Sequence, residues 1–222
     1  MRIPITSYGR HEITIGSSFL LVLAVICACI HPVLTAAPAL VWIALISFFR
    51  DPERPCTCGP GELLSPADGT VADIEKVGSA PFLDQPCLRV GVFMSVLDVH
   101  VNRSPCAGRV TFTEHQPGKY FDARSEECKK QNEHNYVGIT TGDGKKVLVN
   151  QIAGLIARRI VCAVKPGEEL GCGDRFGMIK FGSRVELYVP LAHEPEAAVK
   201  IGQKVAGGRD VLILCRPSSD GS

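Results

Sequence analysis

The chain has 222 residues, enough for one domain of ordinary size and a short additional segment. Its 24 basic and 23 acidic residues nearly balance, and only 6% of its residues are aromatic. Nucleic-acid-binding proteins usually carry a basic excess on one face and aromatic side chains on which bases stack. The composition therefore argues against nucleic acid as a partner.

A long uncharged segment lies near the N-terminus, where residues 13–49, a run of 37, contain no Asp, Glu, Lys or Arg. A membrane-spanning helix needs about 20 apolar residues. Pro32 and Pro38 divide the run into two apolar halves, and arginines flank both ends. Because basic residues concentrate on the cytoplasmic side of a membrane, the pattern predicts a helical hairpin attached to the cytoplasmic face of the cell membrane. A cleaved signal peptide would be shorter, and a buried core hairpin is the alternative.

A charged, proline-containing stretch at residues 50–55 predicts a linker, so that a membrane-associating segment (1–55) precedes the body of the chain (56–222). In the body, glycine and proline recur between short β-branched runs, which is typical of a barrel or sandwich. Thr141–Gly144 predicts a hairpin turn, and residues 118–130 a short helix. The predicted strands are Gly69–Lys76, Leu88–Met94, Gly108–Thr113, Tyr136–Thr141, Lys146–Ile152, Ile160–Val164, Arg184–Val189, Ala198–Ile201 and Val211–Cys215.

Two stretches of the body share one pattern. Residues 163–170 and 198–205 both have the form A-V-K-x-G-x-x-(L/V), and paired glycines follow each of them. The pattern resembles the hammerhead of lipoyl and biotinyl carrier domains, although neither copy has a lysine at a hairpin tip. The fold expected is therefore mainly β, a barrel or sandwich with lipoyl-like hammerhead elements behind an N-terminal hydrophobic helical hairpin.

The ten cysteines are scattered along the chain. Disulfide frameworks are typical of small secreted domains. Cys56 and Cys58 have one residue between them rather than the two of a zinc knuckle, and no second pair lies at ligand spacing. The sequence therefore predicts free thiols in a reducing compartment and no metal site.

A glycine–serine pair, Gly182-Ser183, comes directly before the predicted strand 184–189. Taken alone, such a pair predicts an ordinary turn, because glycine and serine are frequent in turns. Its significance depends on the other segments of the chain that accompany it.

Several segments together resemble the phosphatidylserine decarboxylase family in its short form. They follow one another in the right order over nearly the whole chain, and their combination is far more specific than any one of them. The segments are residues 48–54, 65–71, 98–105, 116–120, 151–160 and 176–186.

The resemblance implies that the chain is a proenzyme that cuts itself between Gly182 and Ser183. Attack of the Ser183 hydroxyl on the Gly182 carbonyl would give an ester, and elimination and hydrolysis would convert Ser183 into a pyruvoyl cofactor. A β chain (1–182) and an α chain (183–222) would then form a heterodimer, with a higher oligomer left open. The substrate implied is phosphatidylserine in the membrane, which forms a Schiff base with the pyruvoyl group and loses CO₂ to give phosphatidylethanolamine.

The processing step needs a base, because a serine hydroxyl is a weak nucleophile. His100 is the candidate, with Asp68 as the carboxylate that orients it in a triad-like arrangement and Asp98 as the alternative. Because the unperturbed pKa of a histidine side chain lies near neutrality, His100 is also suited to protonate the carbanion left after decarboxylation.

One position departs from the family pattern. Longer bacterial members carry a second histidine three residues after the first, where this chain has Arg103. One histidine could then serve both reactions, or His115 or His134 could substitute. Two other functions remain open: a non-enzymatic lipoyl-like binding module held at the membrane, and a pyruvoyl enzyme for a soluble amino acid.

Overall fold

The computed structural model describes residues 4–155, 159–180 and 183–216. The chain divides into two compact units, Met1–Glu53 and Arg54–Ser222. Gly182, on one side of the expected cut, lies outside the described residues.

The first unit contains two apolar helices, α1 (Arg10–Ile30) and α2 (Ala36–Phe48). A 3-10 turn, Pro32–Thr35, connects them, and α1 ends before Pro32 because a residue that precedes proline is disfavoured in helical geometry. The indole N–H of Trp42 donates to the Ser17 hydroxyl at 3.0 Å, which joins the two helices. The predicted helical hairpin is confirmed.

The first helix has the properties of a membrane span. Together with the preceding 3-10 turn it covers Ser7–Ile30, its most apolar 18 residues have a mean hydropathy of 2.6, and it is long and apolar enough to cross a bilayer by length and composition. None of its most apolar stretch is buried within the protein. Exposure of this kind favours membrane association over the alternative of a buried core hairpin.

The second unit is mainly β, as predicted. Its strands are β1 (Glu62–Leu64), β2 (Gly69–Val77), β3 (Cys87–Met94), β4 (Val101–Arg103), β5 (Gly108–Gln116), β6 (His134–Thr140), β7 (Lys146–Ala153), β8 (Ile160–Cys162), β9 (Glu169–Leu170), β10 (Arg175–Ile179), β11 (Ser183–Pro190), β12 (Pro195–Ala197), β13 (Lys204–Val205) and β14 (Val211–Cys215).

Eight strands form one curled sheet in the order β13-β2-β3-β11-β7-β6-β5-β9, and two sheets of three strands, β1-β14-β12 and β4-β10-β8, complete the described part of the unit. Every pairing within these sheets is antiparallel, and the predicted hairpin turn at Thr141–Gly144 joins β6 to β7. Eight of the nine predicted strands are present with small shifts at their ends.

One local prediction was wrong. Residues 198–201 form no strand but lead into a turn, in which Gly202 has φ +86° and the Lys200 N–H is bound by the Gln203 side chain at 3.1 Å. The short helix predicted within 118–130 is present at the end of that range as α3 (Cys128–Gln131). Six of the described strands escaped prediction. Five of them (β1, β4, β9, β12 and β13) have only two or three residues, which carry too little periodicity, and the sixth is the five-residue β10.

The repeated sequence pattern corresponds to a repeated structure. The N–H of Gly167 donates to the Val110 carbonyl at 2.8 Å, and the N–H of Gly202 donates to the Val71 carbonyl at the same distance. After each turn a two-residue strand pairs with the start of a longer one: β9 with β5, and β13 with β2. The half β13-β2-β3-β11 of the large sheet is thus repeated as β9-β5-β6-β7, as expected for a hammerhead duplication.

The loops that enter β2 and β5 repeat the same contact as well. The Ser65 hydroxyl donates to the Ala67 carbonyl at 2.7 Å, and the Ser104 hydroxyl donates to the Cys106 carbonyl at 2.6 Å. The two loops can therefore be compared position by position, and Asp68 in the first corresponds to Ala107 in the second.

A disulfide joins Cys58 to Cys172, with 6.3 Å between their Cα atoms. The expectation that all ten cysteines are free was therefore wrong for these two. Spacing along the chain could not reveal the pair, because the two residues are 114 positions apart and only folding brings them together. The bond ties the segment just after the linker to the turn before β10.

We expect the double variant Cys58→Ser, Cys172→Ser to lose about 2–5 kcal/mol of unfolding free energy, because a crosslink over so long a loop restricts the unfolded chain. Urea unfolding of the full chain in detergent measures the change. Cys162→Ser, which alters a half-buried free thiol, is the control and should change little. Equal stability of wild type and double variant would contradict the prediction.

Candidate active site

Ser183 is the first residue of β11, a central strand of the large sheet. It pairs with Met94 at the end of β3 and with Ala153 at the end of β7. Its side chain is fully buried, and its hydroxyl lies 3.4 Å from the Met94 sulfur, a weak acceptor. The residue expected to react is thus held on both sides by the sheet.

A chain of buried amides extends from the same sulfur. The Asn102 side-chain N–H points to the Met94 sulfur at 3.9 Å, and Gln151 donates to Asn102 at 2.7 Å. Asn135 donates in turn to Gln151 at 2.8 Å. Because buried polar groups need partners, this chain fixes the orientation of each amide next to Ser183.

Sequence reasoning did not assign these amides a role. Asn102 and Gln151 belong to segments that carried the family resemblance, but nothing local indicated that they meet. The available signal was a polar residue at an inward position of an otherwise apolar strand, as at Gln151 in β7, where every residue from 147 to 153 is buried.

His100 is fully buried and lies beside the segment that leads to Ser183. Its carbonyl accepts the N–H of Ile179 at 3.3 Å, just where β4 pairs with β10. Its ring Nδ1 is 2.9 Å from the carbonyl oxygen of Asp98. Because a carbonyl only accepts hydrogen bonds, Nδ1 carries the proton, and in the neutral ring Nε2 is the basic nitrogen.

The Asp68 carboxylate binds Arg54 and not His100, the partner expected from the sequence. Arg54 donates to its two oxygens at 2.6 and 2.8 Å, and the Gly207 N–H donates at 2.8 Å. These are the hydrogen bonds of this carboxylate in the described part of the chain. The hydrogen bond that Arg54 donates to Asp68 also raises the pKa of Arg54, although burial opposes the change.

The Asp98 carboxylate likewise stabilises its own loop. It accepts hydrogen bonds from the Ser95 N–H at 2.8 Å and from the Ser95 hydroxyl at 2.7 Å. Asp98 thus orients His100 through its main chain rather than through its acid group. Among the two candidate acids, neither carboxylate contacts the imidazole in the described structure.

The other two candidate histidines have different surroundings. His134 is buried, with Nδ1 3.2 Å from the Asn150 side-chain oxygen, and burial lowers its pKa. His115 is exposed at the surface, where Nε2 lies 3.0 Å from a Glu133 oxygen. Their described contacts connect neither of them to Ser183.

The residue after Ser183 belongs to a buried ionic network on the opposite face of the sheet. Arg184 is 1% exposed, and its guanidinium binds the carboxylates of Asp73 and Glu186. Burial opposes the charge of Arg184, but the two carboxylates outweigh it and raise its pKa. The same arginine lowers the pKa of Asp73 against the effect of burial.

Further charges extend this network across the sheet. The Arg89 guanidinium lies 2.6 Å from a carboxylate oxygen of Glu75 and 3.8 Å from one of Glu186. The ammonium group of Lys129, in α3, lies 3.3 Å from a carboxylate oxygen of Asp73. Successive residues of a strand point to opposite faces. The network therefore fixes residue 184 from one side while the core holds residue 183 from the other.

Taken together, the fold is a two-halved β structure with a buried serine at the start of a central strand and a buried histidine just before β4. The sequence model of phosphatidylserine decarboxylase matches residues 43–213. The phosphatidylserine decarboxylase proenzyme of Syntrophus aciditrophicus is 44% identical over 77% of this chain and 84% of its own length.

Proenzymes of the same name from two other bacteria give similar values. That of Burkholderia multivorans is 42% identical over 89% of this chain and 92% of its own length. That of Ruegeria pomeroyi is 46% identical over 74% of this chain and 76% of its own length. The chain belongs to the phosphatidylserine decarboxylase family and is a decarboxylase.

The ionic network gives a testable expectation for stability. We expect Asp73→Asn to lower the unfolding free energy by about 2–4 kcal/mol at neutral pH, because it removes a partner from the buried charge of Arg184. Since the folded pKa of Asp73 is lowered, its contribution is complete above the ordinary carboxyl pKa and is lost as pH falls through the folded value. The difference should therefore shrink in acid, as measured by urea unfolding in detergent.

Glu169→Gln is the matched control, because it breaks the Arg109–Glu169 pair, in which both side chains are more than 60% exposed. Exposed pairs contribute about 1 kcal/mol or less. A similar loss in both variants, or a difference that does not depend on pH, would contradict the assignment of Asp73 to a stabilising buried network.

Proposed function

We propose that this decarboxylase makes its own pyruvoyl group by cutting the chain between Gly182 and Ser183, and uses it to convert phosphatidylserine into phosphatidylethanolamine and CO₂. The observation that carries the proposal is the position of Ser183. Its buried hydroxyl is held at the start of a strand paired on both sides, beside the segment that contacts His100.

Processing begins with attack of the Ser183 hydroxyl oxygen on the Gly182 carbonyl carbon, while Nε2 of His100 takes the hydroxyl proton. The peptide C–N bond then breaks, the serine nitrogen regains a proton, and an ester links the two residues. Loss of the Ser183 α-proton eliminates Gly182 as a free carboxylate and leaves a dehydroalanine. Addition of water and release of ammonia complete the pyruvoyl group at position 183.

The surroundings of Ser183 fit that product. The Cβ of the serine becomes a methyl group, and its neighbour is the thioether of Met94 rather than a strong acceptor or a charge. The pyruvoyl group supplies a carbonyl that condenses with the substrate amine and takes up the electrons released when CO₂ leaves. His100, oriented by the Asp98 carbonyl, returns a proton to the carbon that has lost CO₂.

The two products of the cut are expected to remain together as a heterodimer of residues 1–182 and 183–222. The new N-terminus begins β11, which stays hydrogen-bonded to β3 and β7. The buried pair between Arg184 and Asp73 also crosses between the two chains. A higher oligomer remains a prediction.

We assign Asp68 a positioning role in this site. The internal repeat shows that the loop itself does not require an acid, because the corresponding residue is Ala107. A carboxylate bound to Arg54 on one side and to the Gly207 N–H on the other places negative charge in the loop before β2. We propose that this charge favours the protonated form of His100 from the neighbouring loop, which is joined to the strand after His100 by the hydrogen bond from the Arg103 N–H to the Pro66 carbonyl at 2.9 Å.

Attachment to the cytoplasmic face of the cell membrane belongs to the same proposal. The apolar helix Ser7–Ile30 supports association with a membrane, and the flanking arginines favour the cytoplasmic face. The alternative of a non-enzymatic binding module is excluded by membership of an enzyme family. A soluble amino acid as substrate would not require attachment of the enzyme to a membrane.

The first test is the intact mass of the denatured wild type beside Ser183→Ala. We expect two wild-type chains, the smaller one blocked at its N-terminus and lighter by one ammonia than a fragment that begins with serine. The variant should remain a single chain, because alanine has no hydroxyl to attack the Gly182 carbonyl. Ser79→Ala, at an exposed loop serine, should be cut like the wild type.

A single uncut chain from active wild type would refute the pyruvoyl mechanism. A cut between other residues would refute the assignment of Ser183, even if the enzyme remained active.

The role of Asp68 is tested by the pH dependence of processing. We expect Asp68→Asn to slow the cut tenfold or more, and to move the acid limb of the rate to lower pH, because a nearby carboxylate raises the pKa of a histidine. Asp68→Glu should restore most of the rate. A slow cut with an unshifted acid limb would instead mean that Asp68 only anchors Arg54.

A further inference from the structure

Exposed large apolar side chains are few in the β-rich unit. Within its described residues, five such side chains have more than a third of their surface exposed: Val96, Leu97, Leu155, Ile201 and Leu214. Val96, Leu97 and Leu155 lie on only two loops. Leu97 is 82% exposed and Leu155 is 62% exposed. Their concentration in two loops requires a physical reason.

Both loops leave the sheet at the edge where the expected cut lies. Met94 ends β3 and Ala153 ends β7, and both residues pair with Ser183. The loop with Val96 and Leu97 follows Met94 directly, and Leu155 lies two residues after Ala153. The register therefore places all three apolar side chains beside the position that becomes the pyruvoyl group.

A groove of about 330 Å³ lies between the same loops. Its apolar lining includes Phe93, Val96 and Leu155, and Arg124 contributes a charge, with its guanidinium 5.8 Å from the centre of the Phe93 ring. Arg124 is largely exposed and also binds Asp122. Apolar side chains beside an exposed arginine match the boundary between acyl chains and phosphate groups in a lipid layer.

We infer that this edge, formed by the loops at 95–98 and 154–155 and termed the lipid-facing edge, enters the surface of a phospholipid bilayer during catalysis. Val96, Leu97 and Leu155 contact acyl chains, and Arg124 meets lipid phosphate. The inference rests on the proposed function, because it brings a substrate that resides in the bilayer to residue 183. A soluble substrate would leave these side chains in water, where large apolar patches are rare.

The first experiment compares two forms of the substrate with the full-length enzyme. The rates are kcat/KM for phosphatidylserine in phosphatidylcholine vesicles and for dihexanoyl phosphatidylserine below its micelle concentration. In the double variant Leu97→Asn, Leu155→Asn, the ratio of the vesicle rate to the monomer rate should fall at least tenfold. In the control Ile201→Asn, Leu214→Asn, which alters exposed apolar residues elsewhere in the unit, the ratio should stay within twofold of wild type.

An unchanged ratio in the double variant, or an equal fall in the control, would overturn the lipid-facing edge. Intact mass is measured on every sample, so that failure of the proposed function can be distinguished from failure of the lipid-facing edge. An uncut wild type would refute the proposed function, whereas a cut, active wild type with an unchanged ratio in the double variant would refute only the edge.

The second experiment detects the lipid directly. Trp42 is the only tryptophan, so Leu97→Trp in a Trp42→Phe background reports on one loop. Vesicles of phosphatidylcholine with brominated acyl chains should quench its fluorescence relative to unbrominated vesicles, and Ile201→Trp in the same background should show no quenching. An unquenched tryptophan at position 97 would overturn the inference. It would do so even if the double variant were slow on vesicles, because the edge would then bind a protein rather than lipid.

Discussion

The structure depends on the position of Ser183 at the start of a strand that is paired on both sides. Strand geometry sends its side chain inward to Met94 and the next side chain outward to Asp73 and Glu186. Breaking the chain before such a residue leaves the residues that follow it in β11 paired with β3 and β7. The constraint explains how a chain can be cut at its reactive centre and still hold that centre in place.

The internal repeat supplies this scaffold. Each half of the large sheet is closed by the same turn and by the same serine-to-carbonyl hydrogen bond before its first long strand. The halves differ where chemistry is proposed, since Asp68 in one loop corresponds to Ala107 in the other. Duplication thus provides a fold that does not itself need the acid, which leaves that position available for function.

Two sets of apolar side chains are exposed at the surface of this protein, and they have different roles in membrane binding. The helix Ser7–Ile30 carries no charged residue from position 13 onward and is long and apolar enough to attach the chain to a membrane. Leu97 and Leu155, by contrast, are exposed side chains on two loops beside Ser183, the proposed reactive residue. Attachment raises the concentration of enzyme at a lipid surface, whereas contact at the loops would bring one head group to residue 183.

The sequence by itself determined the helical hairpin, most strands, the repeat and the family, because these depend on local periodicity and on ordered motifs. It also pointed to Ser183 and His100, whose catalytic roles stay predictions although the fold buries both residues. Only the tertiary structure decided which groups meet. Arg54 rather than His100 binds Asp68, the buried amides converge on Met94, and Cys58 reaches Cys172. These contacts join residues distant along the chain, so their partners follow from strand register and packing, which local patterns do not encode.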